Sequence, residues 1–277
     1  MAKDPKLDGM TIEKIFQYEP IKKQMSDTNY TEEELRPILE DHEKQISGYF
    51  VILQQYVQEI SGFKGVHTIR SRIKSVGSLC EKILRKEDSR KVKITLANYR
   101  TEIKDLIGVR ALYVFPDEFA MVYDQIYEKY SNIFDGKPEV RHREGDNLEI
   151  FEQHLHESRV DYTMTADYRS IHYTLHHLKP NVRIELQTRT IFEEGWSEIS
   201  HRTSYGMDGS PNKKLIRVVS SILSRMVGTS NDLSSLIYSI AYGGGSESLD
   251  QKIDGLHNST TASLPLEDIL ADFIGTL

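Results

Sequence analysis

The chain has 277 residues, 38% of them hydrophobic and 28% charged, enough for one substantial core or for one domain with an accessory segment. Its net charge of -7 and sequence pI near 5.8 argue against a dedicated nucleic-acid coat, so any polyanion has to bind at a local basic site. A single cysteine excludes an internal disulfide and a cysteine-rich zinc site; without an apolar leader or a run of about 18 apolar residues, the expectation is a soluble, cytoplasmic protein with no membrane partner.

Residues 31 to 34, "TEEE", fit a capping box in which Thr31 caps and Glu34 reaches back. Leu35, Leu39, Ile46, Leu53, Val57 and Ile60 follow at roughly helical spacing, which predicts a long amphipathic helix. After the break "SGFKG", the stretch "IRSRIKSVGSLCEKILRK" reads as a second helix. Val76, Leu79, Cys80 and Ile83 make its packing stripe, and Lys74, Ser78 and Lys82, four apart, make a basic side.

Residues 106 to 115, "LIGVRALYVF", have the apolar, β-branched character of a buried central strand, with Asp105 at its entrance and Arg110 interrupting it. A helix is expected at about 117 to 130, then a polar stretch, 131 to 166, holding a strand or two with loops. "YRSIHYTLHHL" and "VRIELQTRT" read as a hairpin joined by the turn "KPN". Strand alternation puts Arg183, Glu185, Gln187 and Arg189 on one face and Ile184, Leu186 and Thr188 on the other. Such a polar row is equally the solvated face of an antiparallel sheet, so its neighbours have to decide.

"IFEEGWSEISH" places Phe192, Trp196 and Ile199 on one helical face. Leu215, Val218, Val219, Ile222 and Met226 predict a helix from Lys213 to Met226, followed by a second apolar segment at 233 to 242, suited to covering the core or to self-association. "GGGSES" opens a linker, and Leu266, Ile269, Leu270 and Phe273 mark a short acidic terminal helix. The fold class expected is α+β, a mixed and partly antiparallel sheet flanked by helices.

Four separated stretches supply complementary chemistry. Arg72, Lys74 and Lys82 could hold polyphosphate, Asp105 and Glu185 could share a divalent metal, and Tyr168 in "DYRSIH" offers a stacking plane. Two acids in a cationic field suit Mg2+-dependent phosphoryl or pyrophosphoryl transfer better than glycoside hydrolysis, which needs no such field. The bland alternatives are a solvated helix face for the cations, a strand-entry residue for Asp105, a paired interior arginine for Arg110 and a core tyrosine for Tyr168. The "HLH" at 154 to 156 and "HH" at 176 to 177 have no matching acids or cysteines and read as surface strand positions.

The ordered set "RIKSVGSLCEKILRK", "DLIGVRALYVF", "YRSIHYTL" and "IELQTRTIFEEGWSEISH" resembles the nucleotide pyrophosphokinase domain of the RelA/SpoT family over roughly residues 65 to 205. That resemblance implies a nucleotidyltransferase-like synthetase fold. It also implies synthesis of pppGpp and ppGpp by transfer of the β,γ-pyrophosphate of ATP to the ribose 3′-hydroxyl of GTP or GDP, with Mg2+ as cofactor. By motif, Arg72 and Lys74 match the donor-binding R-x-K, and Ser78 and Lys82 continue toward the ATP phosphates. Asp105 matches the magnesium aspartate, Arg110 stands on or beside the nucleotide site, and Glu185 matches the second metal contact and base. Tyr168 matches the tyrosine on which the acceptor base stacks, with Arg169, Ser170 and His172 around it. Gln187 and Arg189 can orient ribose or phosphate, and His201 matches a histidine near the site.

Nothing here resembles the hydrolase domain of long family members; residues 41 and 42 read "DH" where that domain has "HD". The resemblance thus implies a small synthetase: an N-terminal segment (1–30), a synthetase domain (31–205), C-terminal helices (206–243) that could form a homo-oligomer, and a linker with a terminal helix (244–277). Asp167 departs from the glycine common before the stacking tyrosine, which leaves open an adenine nucleotide or the 3′ end of transfer RNA as acceptor. "KILRKEDSRKVK" is the one dense basic track for transfer RNA. A third reading is a silent nucleotide-sensing module that docks through "LEDILADFIG".

Overall fold

The computed structural model describes residues 5–85, 92–146, 148–156, 158–165, 168–204 and 212–242. A short turn, Pro5–Leu7, leads to α1 (Ile12–Gln17), α2 (Glu19–Ser26) and α3 (Glu32–Ser61). The capping box forms as its residues predict: Thr31 Oγ1 accepts from the Glu34 backbone N–H, and Glu34 accepts from that of Thr31. Next come β1 (Thr68–Ile73), α4 (Val76–Arg85), α5 (Tyr99–Glu102), β2 (Ile107–Tyr113) and α6 (Phe119–Tyr130). The stretch from 131 to 166 yields β3 (Glu139–His142), α7 (Glu149–Glu152) and β4 (Asp161–Met164). The chain then forms β5 (Ser170–Leu178), β6 (Asn181–Thr190), α8 (Ile191–Ser204) and α9 (Lys213–Tyr242).

The strands make one mixed sheet in the order β1-β2-β6-β5-β3-β4, with β2/β6 and β3/β4 parallel and the other pairs antiparallel. The β5–β6 hairpin forms as expected, with Leu178 opposite Asn181. On one face, Val109, Ala111, Ile184, Leu186, Ile171, Tyr173 and Leu175 are buried. Burying each large aliphatic among them contributes about 2 kcal/mol. Helix α3 packs across β1 and β2, and Tyr123 of α6 meets Tyr173 of β5, so this face is the core side. Leu7, Ile12, Ile15, Phe16 and Ile21 belong to the same buried cluster, so the N-terminal residues cover the core as well. No helix among the described residues is long and apolar enough to cross a membrane.

Three helical expectations are corrected. The run from Thr68 to Ile73 is strand, because β2 offers it a full antiparallel partner; the helix starts only after Ser75, whose hydroxyl accepts the Ser78 backbone N–H at 3.3 Å. Lys74 therefore lies at a strand-to-helix junction and Arg72 on a strand, while Ser78 and Lys82 stay four apart on α4. The two C-terminal apolar segments are one 30-residue helix. On α8, Trp196 is buried, but Phe192 and Ile199 are 39% and 50% exposed; the helix turns Glu193 and Glu194 inward instead, because arginines meet them. The expected linker and terminal helix lie outside the described residues.

Candidate active site

The sheet face opposite the core carries the polar row. Pairing sets Arg72 beside Gly108, Arg70 beside Arg110, Glu185 beside Gly108, and Gln187 beside both Arg110 and His172. Partners in register share a face, so these side chains converge from four neighbouring strands. They floor a cleft of about 600 Å³ whose lining includes Arg72, Arg110, Glu185, Gln187 and His201. Gly108 puts no side chain on that floor, where a Cβ would meet Arg72 Cγ at an ordinary contact of 3.5 Å.

The row on β6 is a hydrogen-bonded relay: Arg189 Nη2 donates to Gln187 Oε1 at 2.8 Å, and Gln187 Nε2 donates to Glu185 Oε2 at 2.8 Å. Arg183, the fourth member, turns away to Asp135 and the Thr101 carbonyl. His172 Nδ1 stands 3.6 Å from Glu185 Oε1, beyond hydrogen-bond distance, while its Nε2 pairs with Ser170 Oγ at 2.8 Å. Burial lowers the His172 pKa and favours the neutral ring. Burial alone would raise the Glu185 pKa; His172, Lys82 and Arg72 outweigh it and hold the carboxyl well below the usual carboxylate range.

Asp105 anchors the other side of the site. Its Oδ1 is 2.5 Å from Lys82 Nζ, its Oδ2 is 2.9 Å from Lys74 Nζ, and Arg72 Nη2 lies 3.8 Å away. Burial would raise its pKa, but the Lys74 and Lys82 ammoniums prevail and lower it. Burial also brings Lys74 down to about 8, against the pull of Asp105. Ser78 is buried and accepts a hydrogen bond from Ser75 Oγ at 2.9 Å, so its hydroxyl braces the start of α4. Among the described residues no three histidine, cysteine or acidic side chains cluster as a metal cage. Two ionised carboxylates, Asp105 in the turn that enters β2 and Glu185 on β6, close enough for Glu185 to act on the Asp105 pKa, do fit a Mg2+ whose remaining ligands are substrate phosphates and water.

Beyond Gln187 the face continues to β5. Tyr168 lies nearly parallel to Trp196, with ring centroids 6.3 Å apart, and its hydroxyl accepts from Arg141 Nη1 at 2.6 Å. Its ring is 6.1 Å from that of His172. Ser170 and His172 point the same way, whereas Arg169 is corrected: it is buried with its guanidinium 5.8 Å over the Phe151 ring, because alternation sends it to the opposite face. Asp167 and part of the basic track, 86–91, lie outside the described residues. Of the other histidines expected at surface strand positions, only the pair 176–177 is on a strand, where His176 meets Asn181 and His177 stands half-buried 3.4 Å from the Tyr56 hydroxyl; His154 and His156 are exposed but follow α7 in a loop, where they meet Asp124 and Ser158.

Several residues at or beside the cleft, Arg70, Glu194 and Glu198 among them, escaped sequence reasoning. Arg110 Nη1 donates to Glu194 Oε1 at 3.1 Å, and Arg70 donates to the same oxygen at 3.2 Å. Glu198, one turn on, stands 3.4 Å from both arginines. Arg189 Nε completes this ion-pair net 3.2 Å from Glu194 Oε2. The i, i+4 pair Glu194/Glu198 and the alternation Arg70/Arg72 were the available signals. Asp8, Ser71 and Arg202 also line the cleft, and nothing in their local spacing marks them.

Residues 71–210 match the model of the region found in RelA / SpoT proteins. GTP pyrophosphokinase YwaC of Bacillus subtilis (strain 168) is 23% identical over 202 residues, covering 66% of this chain and 84% of that protein. The crystal structure of the small alarmone synthetase 1 from Bacillus subtilis superposes with a TM-score of 0.54 at 20% identity, over 73% of this chain and 98% of that one. The same synthetase bound to its product pppGpp gives a TM-score of 0.51 at 20% identity, over 72% and 97%.

Proposed function

Because this chain belongs to the RelA/SpoT family, we propose that it is an alarmone synthetase that moves the β,γ-pyrophosphate of ATP onto the ribose 3′-hydroxyl of GDP or GTP and releases AMP. One observation carries this reading: the Arg189–Gln187–Glu185 relay ends on a cleft carboxylate that acts on the pKa of Asp105, an aspartate held by Lys74 and Lys82 and 3.8 Å from the cleft residue Arg72. Two ionised acids facing several cations suit the handling of a metal-bound polyphosphate.

In this reading Arg72, Lys74 and Lys82 hold the donor phosphates, with Ser78 bracing the helix that carries Lys82 and Arg110 on the cleft floor beside them. Lys74 and Lys82 stand within ion-pair distance of Asp105, beside the acid that would share the metal. Asp105 and Glu185 would hold Mg2+, which supplies charge neutralisation at the transferred group. The acceptor base stacks on Tyr168 with His172 and Ser170 beside it, while Gln187, Arg189 and His201 bound the path to the cleft. The acceptor 3′-oxygen bonds to the β-phosphorus as the bond from that phosphorus to the α,β-bridging oxygen breaks. A carboxylate with a depressed pKa is a weak base, so Glu185 orients the hydroxyl and receives its proton late, as a loose transition state permits. Catalysis is then mainly alignment and electrostatics.

The test is a product assay with γ-labelled ATP, Mg2+ and, separately, GDP, GTP, ADP and deacylated transfer RNA, with Glu185→Gln as control. Label on a guanine nucleotide with the unsubstituted protein, and none with the variant, is the expected result. Label only on ADP or transfer RNA overturns the acceptor, and label nowhere overturns the enzymatic reading.

A further inference from the structure

Tyr168 and Arg169 are held from the far end of the chain. Arg143, just past β3 and 6% exposed, donates through Nη2 to Glu193 Oε1 at 2.6 Å and through Nη1 to the Ser224 carbonyl at 2.8 Å and hydroxyl at 3.1 Å. Its Nε donates to Asp146 Oδ1 at 3.0 Å. Glu193, only 1% exposed, also accepts from Asn231 Nδ2 at 3.0 Å. Its other oxygen, Oε2, accepts the backbone N–H of Arg169 at 3.4 Å. One buried carboxylate thus joins α8, the loop after β3, α9 and the segment that presents Tyr168.

The approach of α9 is close. A Cβ at Gly228 would lie 3.4 Å from Arg143 Nη2, in van der Waals contact with the guanidinium. A buried charge is costly unless fully paired, and removing one partner leaves the others unsatisfied. The arrangement of the four segments is therefore set jointly, and a shift in α9 has to move Glu193 or break its bonds. No described residue of α9 lines the cleft.

We propose that Glu193 is a positioning residue for the acceptor: clamped by Arg143 and Asn231, it fixes the Arg169 backbone so that Tyr168 holds its ring parallel to Trp196, and α9 becomes a structural part of the acceptor subsite. This rests on the reading of Tyr168 as the acceptor platform. Two donors on Glu193, the Arg169 N–H and Asn231, come from different segments, so one carboxylate ties the position of each to the other.

The experiment measures donor and acceptor KM, kcat and thermal unfolding for the full chain and for Asn231→Ala, Glu193→Gln, Ser224→Ala and Tyr168→Ala. A KM does not depend on the fraction of molecules folded, so a variant that only folds poorly loses apparent kcat with both KM values unchanged. The proposal expects the acceptor KM to rise roughly tenfold in Asn231→Ala and Glu193→Gln, less in Ser224→Ala, with the ATP KM unchanged. If Tyr168→Ala raises the acceptor KM while the Glu193 and Asn231 variants do not, the positioning role is overturned and the platform stands. If Tyr168→Ala leaves the acceptor KM unchanged, the platform reading itself falls, and this inference with it.

Discussion

His42 Nε2 lies 2.7 Å from the backbone carbonyl oxygen of Lys74, so a fully buried histidine on α3 holds the junction that carries a candidate donor-binding lysine. A carbonyl only accepts, so Nε2 carries the proton. Asp41, next to it, accepts instead from Tyr99 and Arg100 at 2.5 and 2.6 Å. The "DH" pair is thus a brace between α3 and the chain around it.

Burial lowers the His42 pKa, with the nearby Lys74 and Arg100 charges acting in the same direction against Asp41 and the carbonyl. Above the ordinary histidine pKa of about 6.5, both folded and unfolded chains are neutral there and nothing is lost. Below it the unfolded chain takes up a proton that the folded one refuses, so stability falls as pH falls. His42→Gln, which keeps a donor, is expected to lose less stability between pH 6.5 and 5 than the unsubstituted protein in urea unfolding. His42→Leu should be destabilised by about 2 kcal/mol at pH 7, since the Lys74 carbonyl is left unpaired.

Lys74 titrates at about 8 because burial disfavours its charge. As pH rises through 8 the ammonium is lost, together with its attraction for donor phosphates, so the KM for ATP is expected to climb above that pH. Lys74→Arg keeps its charge throughout and should show a flat KM across the same window. The sign for folding follows too: between about 8 and the ordinary value of 10.5 the unfolded chain binds more protons, so Lys74 makes stability rise with pH there.

Gln187 connects Arg189 to Glu185 through two bonds of 2.8 Å. Gln187→Met should remove one donor from the Glu185 carboxylate, raise its pKa and move the acid limb of the kcat profile to higher pH. A hydrogen bond to a charged group contributes about 1.5–3 kcal/mol, so kcat is expected to drop about 10- to 100-fold. A profile that falls in height without moving would show that Gln187 acts on substrate alone.

The outer side of α9 exposes Val219, Met226, Leu233 and Ile240, which recur every seventh residue, together with Ile237. A seven-residue apolar repeat suits pairing with another helix of the same kind, so we expect a homo-oligomer of this chain. Met226→Glu with Leu233→Glu should shift the sedimentation coefficient to that of a monomer. An unchanged coefficient, at either value, would remove this surface from the account.

Local features were legible in the sequence because their physics is local. The capping box at Thr31, the apolar run of β2, the β5–β6 hairpin and the shared face of Glu185, Gln187 and Arg189 each follow from residue spacing within about ten positions. Resemblance to a family then pointed to Asp105 and Lys82, which the structure brings to 2.5 Å. What spacing could not decide was which polar side chains would be buried. Thr68 to Ile73 became strand because β2, more than thirty positions on, offered a partner. Glu193 and Glu194 turned into the protein, displacing the expected apolar face of α8, because Arg143, Arg110 and Arg189 arrive from other elements to neutralise them. A helical period assigns faces by hydrophobicity, whereas a carboxylate is buried or exposed according to the charges it meets, and those charges are assembled only by the tertiary fold.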